Sequence, residues 1–244
     1  MIRLFLMLLL AFALILFVVA FVVTRIENAQ DAANHVLRNH ALKHHVLKHR
    51  SAPEKPRNVA VVVFSRSGNT GVLADHIAET LDADVHELVA NDYQLGMVGW
   101  INALNDARND FADISPNHID VSHYDTVYLG SPIWLYSPAP PIWQFANNTD
   151  FTNKHVVLVN TFNSQFKQHF IDEFEALVRS KGAISFAHQY VKRGRMGSQM
   201  SSQELIQRFD EKYNTKRIND RAGESDEQQQ RQSSAGGSSA RLQQ

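Results

Sequence analysis

The sequence contains no cysteine among its 244 residues. This absence excludes disulfide bonds, cysteine-ligated iron–sulfur clusters, zinc–thiolate sites and thiol redox chemistry. Any redox activity must therefore come from a bound cofactor. The chain also lacks a GxxxxGK[ST] loop and a GxGxxG fingerprint. These absences argue against hydrolysis of nucleoside triphosphates and against a dinucleotide-binding Rossmann unit.

Positive charge is scarce in the central part of the chain. Residues 58–214 hold eleven Lys/Arg against eighteen Asp/Glu, and residues 58–150 hold only Arg66 and Arg108 against twelve acidic residues. Nucleic-acid binding requires clustered positive charge, so we expect no nucleic-acid partner. An acidic surface instead favours docking of basic partner proteins.

The N-terminal stretch is almost wholly apolar. Leu4 to Val23 is an uncharged run of 20 residues, and at 1.5 Å per residue a helix of this length spans about 30 Å, the thickness of a bilayer core. No A-x-A cleavage site follows, which favours a retained anchor over residues 1–24 rather than a signal peptide or a buried helix. More basic residues follow the run than precede it, so the positive-inside tendency predicts a cytoplasmic globular domain.

Two polar segments flank the predicted domain. Residues 25–57 have seven Lys/Arg and helical spacing of apolar residues, which predicts a basic, histidine-rich juxtamembrane helix and a proline-containing linker beside anionic headgroups. The i,i+4 pairs His40/His44 and His45/His49 could share a metal ion, but no nearby carboxylate completes a ligand set, so we predict no metal site. Residues 215–244 are rich in Gln, Ser and Gly, which predicts a disordered tail.

Residues 58–214 alternate between strand and helix patterns. The run VAVVVF at 59–64 and the run HVVLVN at 155–160 are continuously apolar, as in parallel strands that are covered on both faces. Five such strands separated by helices predict a doubly wound parallel α/β sheet. Ligands of such sheets bind beyond the carboxyl ends of the strands, where the strand order reverses.

The first of these carboxyl ends is followed by a loop rich in hydroxyl groups at the start of a helix. Free N–H groups and the helix dipole favour an anion there, and a phosphate monoester is the natural candidate. The pattern resembles the T/S-x-T/S-G-x-T phosphate loop of the flavodoxin family, which binds FMN. The loop residues are Ser65, Arg66, Ser67, Gly68, Asn69 and Thr70.

Two further loops are candidates for holding the isoalloxazine ring. After the third strand, GSPIW followed by prolines offers flat apolar cover and resembles a G-x-P-I-W turn of a flavodoxin-like subgroup of NAD(P)H:quinone oxidoreductases. After the fourth strand, two phenylalanines stand where the relatives often have a small glycine-containing turn. The candidate residues are Ser131, Pro132, Ile133, Trp134, Tyr136, Thr161, Phe162 and Asn163.

The resemblance implies a five-stranded flavodoxin-like sheet of order 2-1-3-4-5 and bound FMN. It implies a reductase that passes electrons from NAD(P)H to a quinone-like acceptor, for which a membrane anchor is well placed. An electron carrier that docks redox partner proteins and a flavin-free membrane scaffold remain the alternatives. A homodimer, as in many related reductases, also remains open. No acid–base pair or nucleophile stands out, so no catalytic residue is predicted.

Overall fold

The computed structural model describes residues 2–49, 57–195 and 198–213. The chain divides into two compact units after Ser202, and the second unit is described as far as residue 213. The predicted tail and the linker after residue 49 lie outside the described residues, as do the side chains of the paired histidines.

The N-terminal residues form one long helix, α1 (Ile2–His49). It is long and apolar enough to cross a membrane by length and composition. Most large apolar side chains from Ile2 to Val22 are exposed. From Ala20 onward, residues at helical spacing become buried, including Thr24 and Asn34. The apolar helix therefore continues without a break into a polar part that packs on the domain.

A five-stranded parallel sheet forms the centre of the domain. The strand order is β2-β1-β3-β5-β6, with the two-residue β4 paired antiparallel to the end of β3. Because β4 is an appendage, the five parallel strands have the predicted order 2-1-3-4-5. The strands are β1 (Val59–Phe64), β2 (Asp84–Leu88), β3 (Thr126–Trp134), β4 (Ser137–Pro138), β5 (His155–Phe162) and β6 (Ser185–Lys192).

Helices connect the parallel strands, as the alternation predicts. The sheet and the connecting helices enclose one apolar core that includes Val62, Leu129, Phe145 and Leu158, all with no exposed surface. The connecting helices are α2 (Asn69–Leu81), α3 (Met97–Asp106), α4 (Pro140–Asn148) and α5 (Gln168–Ser180), with a 3-10 turn at Asn91–Tyr93. A further helix, α6 over residues 202–213, follows the last strand.

The third parallel strand is longer than its apolar pattern suggests. The sequence pattern ends at Gly130, whereas β3 continues to Trp134 because β5 pairs with it as far as Pro132. Leu135 and Tyr136 then turn the chain with positive φ angles of 40° and 81°, and β4 folds back on Trp134. Part of the predicted ring loop is thus strand, which gives Ile133 and Trp134 a fixed backbone.

Candidate functional site

A cavity of about 310 Å³ lies at the carboxyl ends of β1, β3 and β5. Its volume is in the range of small-molecule sites, roughly 300–1,000 Å³. Twelve of the fourteen predicted site residues line it, and the exceptions are Gly68 and Ser131. Ser131 is fully buried beneath the cavity, where its hydroxyl accepts a hydrogen bond from the N–H of Ala139 at 3.0 Å. The three predicted loops therefore meet at one place.

The loop after β1 has the geometry of an anion cradle. Gly68 is the N-cap of α2 and has φ of +74°, a left-handed conformation that favours glycine. As a glycine it has no side chain to accept hydrogen bonds from the first turn of α2, so those N–H groups can face a ligand. Thr70 is 1% exposed, and its hydroxyl lies 2.8 Å from the hydroxyl of Thr161 at the end of β5.

Arg66 anchors the loop rather than offering its charge to a ligand. Its guanidinium donates hydrogen bonds to the carbonyls of Tyr93 at 3.0 Å and of Gly96 at 3.1 Å. It also forms an ion pair with Glu27 of α1. Because a carboxylate already neutralises Arg66, this predicted phosphate-loop residue contributes mainly to the shape of the cavity.

An aromatic cluster forms the apolar wall. The ring of Trp134 lies edge-on to Phe64 at a centroid distance of 5.5 Å and to Tyr93 at 5.2 Å. Burial raises the pKa of the Tyr93 hydroxyl, and the neighbouring Asp106 raises it further, so Tyr93 stays neutral. Its hydroxyl donates to Asp106 at 3.3 Å. These edge-to-face contacts hold the Trp134 side chain firmly against the cavity.

The loop after β5 adds a second group of rings. Phe162 lies 5.5 Å from Phe166 and 5.6 Å from Tyr190, measured between ring centroids. Phe162 lines the cavity together with Asn163, Ser164 and Gln165. The phenylalanines that stand in place of a small glycine-containing turn therefore pack on β6, and the polar residues after Phe162 are left at the cavity.

The polar part of α1 is a wall of the site that sequence reasoning missed. Asn34 donates to the carbonyl of Ser67 at 2.9 Å and to the side chain of Asn69 at 2.8 Å. Asn69 in turn donates to Gln30 at 3.1 Å, and both Gln30 and Glu27 line the cavity. The available signal is the series Glu27, Asp31, Asn34 and Arg38, a polar stripe at heptad-like spacing.

Arg38 continues this interface away from the cavity. Its guanidinium pairs with Asp75 of α2 at 2.7 Å and with Glu87 of β2 at 2.9 Å. Burial opposes the charge of Arg38, but the two carboxylates outweigh burial and raise its pKa. α1 is therefore docked on the domain by hydrogen bonds and ion pairs from Glu27 to Arg38, about three helical turns.

A buried arginine was also missed. Arg193 follows β6, lines the cavity and is only 6% exposed. Its Nη2 atom donates to the carbonyl of Met200 at 3.3 Å, while its buried Nε atom has no hydrogen-bond partner among the described residues. The sequence signal is weak, because KRGR at 192–195 looks like an ordinary basic turn.

Comparisons with known proteins agree with this geometry. The family profile described as flavodoxin matches residues 58–175. A candidate flavoprotein from Bacteroides uniformis has 21% identity and a TM-score of 0.50, covering 63% of this chain and 97% of its own. A flavoprotein from Lactobacillus acidophilus, solved in complex with FMN, has 21% identity and a TM-score of 0.47, covering 55% of this chain and 94% of its own.

No curated protein matches the sequence significantly. The profile match, the strand order and the position of the cavity nevertheless agree with one another. The domain that begins at residue 58 is therefore flavodoxin-like in both its profile match and its fold.

Proposed function

We propose that this protein is a membrane-anchored oxidoreductase that binds FMN and passes electrons from NAD(P)H to a quinone-like acceptor. The observation that carries the proposal is the single cavity that joins a phosphate cradle to an aromatic wall. A phosphate monoester linked to a flat ring system has the same two chemical parts. When bound, FMN would supply the electron-transfer chemistry that the cysteine-free chain lacks.

The residues fit this cofactor. Gly68 and the start of α2 would hold the phosphate, with Ser65, Ser67 and Thr70 as hydroxyl partners. Trp134 and Tyr136 would cover the ring, and Leu135, between them in sequence, also lines the cavity. The chain's own contribution is to orient the ring and to exclude water from it.

The exposed apolar surface of α1 supports a membrane anchor. From Ile2 to Val22 large apolar side chains are exposed all around the helix, which is expected for a helix surrounded by lipid. The excess of basic residues after this stretch supports a cytoplasmic domain. We expect protease to leave the domain intact in sealed right-side-out vesicles, and digestion of the domain would contradict this orientation.

The position of α3 supports a lipid-soluble acceptor. Arg66 bonds to Gly96, the N-cap of α3, and also pairs with Glu27. Glu27 follows the end of the apolar run by four residues, about 6 Å along the helix. α3 therefore begins close to the proposed membrane surface. Val98 and Ile101 on α3 are 73% and 45% exposed, an apolar surface suited to the lipid interface.

The same helix also contributes to the cavity, through Trp100, Ala103 and Leu104. A quinone dissolved in the bilayer would thus reach the ring through an apolar entrance beside the lipid. This arrangement favours a quinone over a water-soluble acceptor.

A carrier of electrons between proteins is the second candidate, and the surface charge favours it. The exposed acidic residues between β2 and β3 along the chain would attract a basic redox partner. They are Asp92, Asp110, Asp113, Asp120 and Asp125.

Cofactor binding is tested by titrating the full-length chain in mild detergent with FMN and following the fluorescence of the flavin. We expect Thr70→Val and Trp134→Ala each to weaken FMN binding by about tenfold, the loss of one hydrogen bond or one aromatic contact. Thr80→Val is the matched control, since Thr80 lies exposed at the far end of α2. Equal binding by all four proteins would contradict the site.

NAD(P)H consumption then separates the two candidates. A reductase consumes NAD(P)H with a quinone and no partner protein, whereas a carrier does not. Consumption that requires an added reductase protein would favour the carrier.

A further inference from the structure

Arg193 lines the cavity and forms no ion pair with a carboxylate among the described residues. Two backbone hydrogen bonds fix its position. The Arg193 N–H donates to the Phe162 carbonyl at 2.7 Å, and the Met200 N–H donates to the Arg193 carbonyl at 2.9 Å. The chain thus loops from β6 and returns beside it. The guanidinium is held inside the protein and at the cavity by this loop.

No carboxylate among the described residues pairs with this guanidinium. Burial alone lowers the pKa of Arg193, and no negative charge offsets the effect. Arg38 and Arg66 are different, because each forms an ion pair with a carboxylate. A guanidinium that lines a cavity without a carboxylate partner is free to form a charge-assisted hydrogen bond with an anion that enters the cavity.

Hydrogen bonds connect the chain segment that follows Arg193 to the phosphate loop. Gln199, one residue before its partner Met200, bonds to Gln30 and to Asn163. Gln30 accepts a hydrogen bond from Asn69 in the phosphate loop. A chain of three amide side chains therefore joins the Arg193 loop to the phosphate loop. The aromatic wall around Trp134 is not part of this chain.

We propose that Arg193 and the phosphate loop together form one anion site, in which the guanidinium Nε–H donates to the phosphate monoester of the bound flavin. This inference rests on the proposed function and adds a residue from outside the part of the chain that matches the family, residues 58–175. The phosphate loop supplies backbone N–H groups, and Arg193 supplies the positive charge. Arg66 does not supply that charge, because it forms an ion pair with Glu27.

This arrangement makes the phosphate group the feature by which the site selects its ligand. A charge-assisted hydrogen bond contributes about 1.5–3 kcal/mol, equivalent to roughly ten- to a hundredfold in affinity. Riboflavin has the same ring and ribityl chain but no phosphate. The protein should therefore bind FMN much more tightly than riboflavin, and the difference should depend on Arg193.

The test compares four full-length proteins: the wild type, Arg193→Met, Arg193→Lys and the matched control Arg195→Met. Arg195 is an arginine of the same loop whose side chain is exposed. Dissociation constants for FMN and riboflavin are measured by flavin fluorescence, and melting temperatures are measured without ligand and with inorganic phosphate. The melting temperature without ligand separates a ligand-binding role from a structural one.

We expect Arg193→Met to weaken FMN binding about ten- to a hundredfold and to change riboflavin binding less than threefold. Arg193→Lys should retain part of the preference for FMN, and Arg195→Met should retain all of it. Without ligand, Arg193→Met should melt no lower than the wild type, because the substitution removes a buried unpaired charge.

Equal losses of FMN and riboflavin binding, together with a lower melting temperature without ligand, would overturn the inference by giving Arg193 a structural role. If the wild type binds neither flavin, the proposed function fails. Inorganic phosphate would then decide whether the anion site survives, by raising the melting temperature of the wild type but not that of Arg193→Met. If inorganic phosphate does not raise the melting temperature of the wild type, the anion site is refuted as well.

Discussion

Substitution of Asn34 by alanine should release the polar part of α1 from the phosphate loop. Asn34 is 2% exposed and takes part in three hydrogen bonds, two to residues of the loop and one from the Ser202 hydroxyl at 2.6 Å. A neutral hydrogen bond contributes about 0.5–1.5 kcal/mol, and buried partners left unsatisfied add to the loss. Asn34→Ala should therefore destabilise the docked structure by about 2–4 kcal/mol.

The assay is thermal unfolding of the full-length chain in mild detergent, followed by near-ultraviolet circular dichroism. For a chain of this length, that loss corresponds to a melting temperature lower by roughly 5–15 °C. Asn39→Ala is the matched control, since Asn39 lies exposed on the same helix. A melting temperature for Asn34→Ala within 2 °C of the control would refute the docking of α1 on the loop.

Three further predictions concern the loop, the sheet edge and the membrane. Gly68→Ala should abolish measurable FMN binding. A Cβ there would lie 2.7 Å from the Cβ of Asn34, and a φ of +74° costs about 1–2 kcal/mol for residues other than glycine. FMN binding within threefold of the wild type would contradict this prediction. Burial lowers the pKa of His86, and His123 lowers it further, while Asp84 partly opposes the shift. The unfolded chain therefore binds more protons than the folded chain as the pH falls below about 6.5. The unfolding free energy should fall in that pH range, and His86→Gln should reduce the slope. Because the chain has no cysteine, a single introduced cysteine can carry an environment-sensitive fluorophore. In vesicles, nitroxides attached to lipids should quench the fluorophore at Leu14→Cys and Val98→Cys but not at Ala176→Cys on α5. Equal quenching by water-soluble iodide at all three positions would refute both the anchor and the lipid contact of α3.

The sheet was predictable because its strands carry the signal in their own composition. β1 is a run of apolar residues with near-zero exposure from Ala60 to Val63, and such a run has no other stable place than the middle of a covered sheet. The loop after β1 could also be predicted from local sequence, since hydroxyl residues around Gly68 at the start of a helix indicate an anion-binding loop. The order of the strands then followed from the resemblance to the family.

The remaining parts of the site depend on contacts between distant residues. Asn34 reaches Ser67 across 33 positions, and nothing in the neck sequence indicates which surface its polar stripe contacts. Arg193 resembles its neighbour Arg195 in sequence, and only the return of the chain at Met200 buries one of them and leaves the other exposed. The end of β3 was missed for a related reason, because pairing with β5 extends it beyond its apolar residues.

The visible absorption spectrum of the full-length protein, purified in mild detergent, shows directly whether the chain carries FMN. We predict flavin bands, and we predict that denaturation releases FMN in a ratio close to one per chain. A colourless, folded protein that also fails to take up added FMN would contradict the proposed function.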